Sequence, residues 1–260
     1  MPQIRLFHVD AFASAVFSGN PAAVCPLDRW LEEATMQAVA AENNLSETAF
    51  VVRDRDGWKI RWFTPTCEVD LCGHATLASG WVVFNRLDPG SASVTFSSRS
   101  GPLTVTRDGD LLALDFPARP PEPCAAPPGL VEGLGLAPRD VLRARDLMAV
   151  YDREEDVRAL APDFARLAAL DSLGVIVTAP GRDVDFVSRF FAPGHGVPED
   201  PVTGSSHCTL IPYWAKRLGR TELRARQVSR RGGELTCALR GDRVRIAGRV
   251  VPYLEGMIAI

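Results

Sequence analysis

The chain has 260 residues, 46% of them hydrophobic and 23% charged, and its 29 Lys and Arg against 32 Asp and Glu leave a net charge of −3. This is globular composition, long enough for one large or two small domains with a core that needs no metal or disulfide. The balance, without any basic block, argues against nucleic-acid and anionic-membrane partners, and no apolar run approaches the ~18 residues of a membrane span.

In chain order, residues 4–12, 22–26, 49–52, 59–63, 94–97, 103–106 and 111–116 read as strands, being β-branched, aromatic or alternating between turn signals. Asp28 is the expected cap of a helix over about 30–43, where Leu31, Ala34, Met36, Ala38 and Val39 supply an apolar side. A helix-like run follows over 74–86. Residues 116–128 are rich in proline, which suits an extended connector between domains. Beyond it, strands are expected over 173–178, 184–191, 223–229, 235–239, 244–246 and 257–260, with helices over 162–170 and 204–217. No signal peptide precedes the first strand, so a cytoplasmic protein with reduced thiols is expected from Cys25, Cys67, Cys72, Cys124, Cys208 and Cys237.

The two halves share an order of motifs. Arg99-Ser100-Gly101-Pro102-Leu103-Thr104 matches Arg231-Gly232-Gly233-Glu234-Leu235-Thr236, 132 residues later, and the hairpin turns Asp108-Gly109-Asp110 and Arg240-Gly241-Asp242 follow at one offset. Phe63-Thr64-Pro65 resembles Phe191-Ala192-Pro193, 128 residues later. Each leads through an acid, Asp70 or Asp200, to a glycine, Gly73 or Gly204, that opens a helix. The order implies a duplication, with domains at 1–117 and 118–260 and a last strand free to pack on the first domain. Hairpin signals outnumber strand–helix alternation, so each half reads as α+β, a mostly antiparallel, barrel-like sheet around a central helix.

The two helix starts are where chemistry is expected. Glycine lets a ligand approach the backbone, and first-turn N–H groups with the helix dipole favour an anion. Ordinary capping by Thr203 or Ser205 is the competing explanation. At such an end a neutral His74 is expected, suited to proton transfer near pH 7; His8, His195 and His207 read as structural or solvated. Glu47 by composition is a solvated turn acid. Cys67, Cys72 and His74 lack the second ligand pair of a usual zinc site. No Gly-x-Ser-x-Gly elbow, dinucleotide fingerprint or phosphate loop occurs.

Phe7-His8-Val9-Asp10-Ala11-Phe12, Gly19-Asn20-Pro21-Ala22, Asn44-Leu45-Ser46-Glu47-Thr48, Arg61-Trp62-Phe63-Thr64-Pro65, Asp70-Leu71-Cys72-Gly73-His74-Ala75-Thr76 and Glu199-Asp200-Pro201-Val202-Thr203-Gly204-Ser205 together resemble the phenazine-biosynthesis PhzF-like isomerases. The resemblance implies a diaminopimelate-epimerase-like fold of two similar domains with the active site in the cleft, a homodimer, and no metal or organic cofactor. It implies a small carboxylate-bearing substrate, similar to trans-2,3-dihydro-3-hydroxyanthranilate. Glu47 would move a proton between two carbons on one face, with His74 and Asp200 holding polar groups of the substrate. Ser205, Gly73 and Gly204 would bind the carboxylate, beside Cys72. A cysteine-dependent racemase and a metabolite-binding protein without turnover are the alternatives.

Overall fold

The structure is a computed structural model that describes residues 2–55 and 57–260. It divides into two compact units, Met1–Asp115 with Ala247–Ile260, and Phe116–Ile246. The division near residue 117 was expected; the segment Ala247–Ile260 belongs to the first unit rather than to 118–260.

The first unit runs β1 (Gln3–Ala11), β2 (Asn20–Leu27), α1 (Glu33–Asn43), β3 (Glu47–Asp54), β4 (Gly57–Phe63), β5 (Glu68–Val69), α2 (Gly73–Val82), β6 (Ser93–Ser98), β7 (Gly101–Asp108) and β8 (Leu111–Pro117). The chain then supplies β9 (Glu122–Pro123), α3 (Leu130–Leu134), β10 (Asp140–Arg143), β11 (Leu147–Val150), α4 (Glu154–Ala159), α5 (Phe164–Ala168), β12 (Val175–Pro180), β13 (Phe186–Ala192), β14 (Val197–Asp200), α6 (Gly204–Leu218), β15 (Glu222–Gln227), β16 (Gly233–Arg240), β17 (Arg243–Gly248) and β18 (Val250–Ala259).

Strand pairing repeats. In the first unit β1–β2 is antiparallel, β2–β3 parallel, β3–β4 and β4–β5 antiparallel, β4–β6 parallel and β6–β7 antiparallel. In the second, β10–β11, β11–β12, β12–β13, β13–β14, β13–β15 and β15–β16 follow the same sequence of directions. Each copy has one further antiparallel strand beside its first: β18 pairs with β1, and β9 with β10.

Both faces of each sheet are covered. Alternate residues point to opposite sides, so Ala23, Cys25 and Leu27 of β2 and Phe50 and Val52 of β3 pack on Met36, Val39 and Ala40 of α1. Ala22, Val24, Ala49 and Val51 face the other way and are fully buried. On that side runs α2, in which every residue but Gly73 and Trp81 is buried; a Cβ on Gly80 would lie 2.7 Å from Val105 of β7. In the second unit Leu147, Ala149, Val175 and Val177 pack on Leu130, Val157 and Leu167 of α3 to α5. The opposite face meets α6, where Trp214 stacks on Phe186 and donates its indole N–H to Thr178 Oγ1 at 3.0 Å.

Some elements differ from expectation. Helix α1 starts at Glu33, its N-cap is Glu32, and no side chain caps it. Asp28 is therefore not the cap of this helix. Strands β10 and β11 and helix α4 carry no strong pattern, because short, fully buried segments such as Leu147–Val150 do not alternate. Strand β18 begins at Val250, seven residues before the expected Met257, with a mostly exposed, ambiguous pattern.

Candidate active site

In the first unit the backbone delivers three groups to one point. Asn44 closes α1 in the left-handed conformation, φ 49°, with its N–H on the Ala40 carbonyl at 3.2 Å, and three residues later Glu47 opens β3. Parallel register sets Glu47 beside Ala22 of β2, the strand headed by Asn20. Gly19 makes this entry possible: at φ +70° a Cβ would lie 2.3 Å from the Ala11 carbonyl oxygen. Helix α2 starts at Gly73 behind Cys72, whose side chain makes no capping bond. As a result His74 Nε2 lies 3.1 Å from Glu47 Oε2, with the side chains 6% and 17% exposed. Neither atom has a hydrogen bond elsewhere among the described residues. The Asn20 carboxamide nitrogen and Cys72 Sγ lie 3.2 Å and 3.6 Å from His74 Nδ1.

Burial disfavours a charged imidazole, but the Glu47 carboxylate facing it favours one and holds His74 above the ordinary histidine range. Against the expectation of a neutral ring at the helix start, the carboxylate at 3.1 Å favours the charged form. A carboxamide meets either ring state by presenting its N–H or, turned, its oxygen, so Asn20 suits a ring that changes protonation. Burial, then the nearby Glu47 charge, pushes the Cys72 thiol up to about 11, which keeps it protonated at neutral pH. Glu47 is a half-buried strand residue facing a histidine, in place of the solvated turn acid its composition suggested.

Glu47, Cys72 and His74 are zinc-ligand types with donor atoms within 4.8 Å of one another. Glu47 lies nearest Nε2 and Cys72 nearest Nδ1, and one imidazole gives one nitrogen to one metal. Cys67 is exposed, with its sulfur near the Thr64 hydroxyl at 3.5 Å.

The second unit builds a different helix start. Thr203 is the cap of α6, but its side chain makes no capping bond; its hydroxyl donates to the Asp200 carboxylate. Fully buried Gln227 holds this turn, accepting the Thr203 N–H at 2.9 Å and donating to the Asp200 carbonyl at 2.8 Å. Ser205 Oγ accepts from Arg145 Nη2 at 3.1 Å. His207 is buried and structural: its Nδ1 lies 2.8 Å from the Thr203 carbonyl, and burial pushes its pKa down to about 4. Burial raises the Cys208 thiol to about 11.

Within their own units, Glu47, Cys72, Gly73 and His74 thus form one cluster, and Asp200, Gly204 and Ser205 another. The sequence reading missed Asn20, Gln227 and Arg145. Asn20 lay inside a recognised motif, Gly19-Asn20-Pro21-Ala22. The other two reach partners 24 and 60 residues away, a distance at which no local pattern speaks.

A duplicated α+β unit, each copy a curled sheet on a central helix, defines the diaminopimelate-epimerase-like class. A hydroxyproline epimerase of Agrobacterium vitis solved with trans-4-hydroxy-L-proline shares that fold at TM-score 0.64 and 12% identity, over 99% of this chain and 93% of the other. Within the class, a profile of phenazine biosynthesis-like proteins matches residues 9–256, and the chain belongs to this PhzF family. A Pseudomonas aeruginosa protein named as an uncharacterized isomerase is 57% identical over 98% of this chain and 99% of its own length. A crystal structure of a PhzF-family protein from Enterococcus faecalis has TM-score 0.97 and 49% identity, with each chain fully covered.

Proposed function

We propose that the protein is an isomerase in which Glu47 takes a proton from one carbon of a small carboxylate substrate and returns it to another on the same face. The electron pair left on the first carbon moves through the adjoining double-bond system to the second. The proton count closes, and no electrons enter or leave. The observation that carries this reading is the Glu47–His74 contact of 3.1 Å in a largely buried cluster. The Glu47 carboxylate is the group that carries the proton, and the adjacent imidazolium faces it and holds it in place. Asp200 and His74 hold polar groups of the substrate; Ser205, Gly204 and Gly73, at helix starts whose cap side chains leave the first-turn N–H groups open, bind the carboxylate. Cys72 lines the site. The reading requires no cofactor and places a homodimer in the cytoplasm.

Two-thiol racemisation finds less support. The cap corresponding to Cys72 is Thr203, whose hydroxyl is engaged by Asp200, and Cys208 is a buried, protonated thiol.

The test is NMR in D₂O with dihydro-hydroxyanthranilate and a panel of small amino acids. Deuterium on a substrate carbon, lost in Glu47→Gln and kept in Cys72→Ala, is the expected result. Loss in Cys72→Ala with Glu47→Gln active would favour the racemase, and no exchange with any candidate would favour a binding protein.

A further inference from the structure

The start of α6 holds a partly exposed arginine against a buried acid, neither of which the proposed reaction uses. Arg145 and Asp146 lie in the turn between β10 and β11, where the Ala144 N–H bonds the Asp146 carbonyl at 3.1 Å. Arg145 Nε and Nη2 lie 3.3 Å from Asp146 Oδ2, and Nη2 also donates to Ser205 Oγ at 3.1 Å. Asp146 is 1% exposed, and its other carboxylate oxygen has no hydrogen bond among the described residues. Burying a carboxylate is costly, and a solvated surface arginine needs no such counterion. The buried acid makes sense as an anchor that keeps the guanidinium in one position, while a third of the Arg145 side chain stays open to solvent.

The Ser205 hydroxyl, whose oxygen accepts from Arg145, keeps its own hydrogen for a second acceptor. The side chain of Thr203 leaves the first-turn N–H groups uncapped. Guanidinium, hydroxyl and amide donors therefore gather at one helix start. Their complement is a group with acceptors only, such as a carboxylate, which would meet the guanidinium on the side turned away from Asp146.

We propose that Arg145 is a substrate-binding residue that takes the carboxylate together with Ser205, and that it restricts the protein to substrates whose carboxylate is free and ionised, excluding amides and esters. This rests on the isomerase reading for its substrate and on the geometry above for its site.

The experiment titrates the whole ¹⁵N-labelled protein with benzoate, and with benzamide as its neutral match. Benzoate is expected to shift the Gly204, Ser205 and Ser206 amide signals saturably, and benzamide is not. Arg145→Gln should weaken benzoate about 10–100-fold, as for loss of a charged hydrogen bond, and Arg145→Lys should recover only part of it. Should Arg145→Gln lose its native spectrum, Ser205→Ala reads the same contact with a loss of about 3–10-fold. The proposal is overturned if benzoate leaves those amides unshifted, if benzamide binds equally well, or if a folded Arg145→Gln binds within about twofold of wild type. Glu47→Gln separates the two readings. It should keep benzoate binding, and if it also kept proton exchange the acid/base role would fall while the Arg145 result stood.

Discussion

The starts of α2 and α6 are two copies of one backbone device put to different chemical use. Each has a cap residue, Cys72 or Thr203, then a glycine, and each has a side chain four residues after the cap, Thr76 or His207, bonded back to the cap carbonyl. Upstream, Arg61 forks onto Glu68 and Arg189 onto Glu199 through the same two nitrogens. Each guanidinium also lies over the ring two residues on, Phe63 at 5.2 Å and Phe191 at 4.9 Å. The frame is retained and the reactive side chains are not. One start gathers Glu47, His74 and Cys72, groups able to gain or lose a proton. The other gathers Thr203, Ser205, Gln227 and Arg145 around Asp200, in a network of hydrogen-bond donors. Even the preceding acids have parted: the Asp70 side chain is 76% exposed, whereas half-buried Asp200 takes the Thr203 hydroxyl. Duplication gave two uncapped helix starts, and divergence gave them different side chains, as the proposed division between proton transfer and carboxylate binding requires.

This comparison can be broken most sharply at Glu47. Glu47→Gln should lower solvent-deuterium exchange about 10²–10⁴-fold, the usual worth of a placed acid/base, while circular dichroism stays native. Gln227→Ala removes partners from the Thr203 N–H and the Asp200 carbonyl. It should cost about 3 kcal/mol in urea unfolding, a loss confined to stability and substrate affinity if the second start only binds. Glu68→Gln and Glu199→Gln probe the shared frame and should cost about 2 kcal/mol each; a loss in one alone would show that the forks are not equivalent.

Smaller effects sharpen the contrast in charge. His74 has a folded pKa above its unfolded value of about 6.5, so its stabilisation is complete below that pH and is lost as pH rises through the folded pKa. The stability gap between wild type and His74→Gln, expected to be about 1 kcal/mol near pH 6, should narrow on titration to alkaline pH. A gap independent of pH would mean that the ring has the same pKa folded and unfolded. Cys72→Ala should change exchange least, by less than about tenfold, because a thiol protonated at neutral pH is not the base.

Much of the architecture was legible because it rests on local rules. Turn-forming glycine, proline and aspartate recur at fixed offsets, so the repeat of Arg99–Asp110 in Arg231–Asp242 could be seen before any strand was paired. The apolar runs after Gly73 and Gly204 announced buried helices for the same reason. What failed locally was weakly patterned: Asp28 resembles a cap but does not serve as one, and Leu147–Val150 is too short and too buried to alternate.

The sequence by itself determined the duplicated α+β plan, the two glycine-led helix starts and the residue types standing at them, since turn chemistry and hydrophobic periodicity act between neighbours. Tertiary structure alone decided which of those residues meet. It set Glu47 against His74 by the parallel register of β3 on β2 and brought Arg145 to Ser205 from 60 residues away. Each of these depends on a distance of about 3 Å between groups remote in sequence, and electrostatic and hydrogen-bond energies fall steeply with distance.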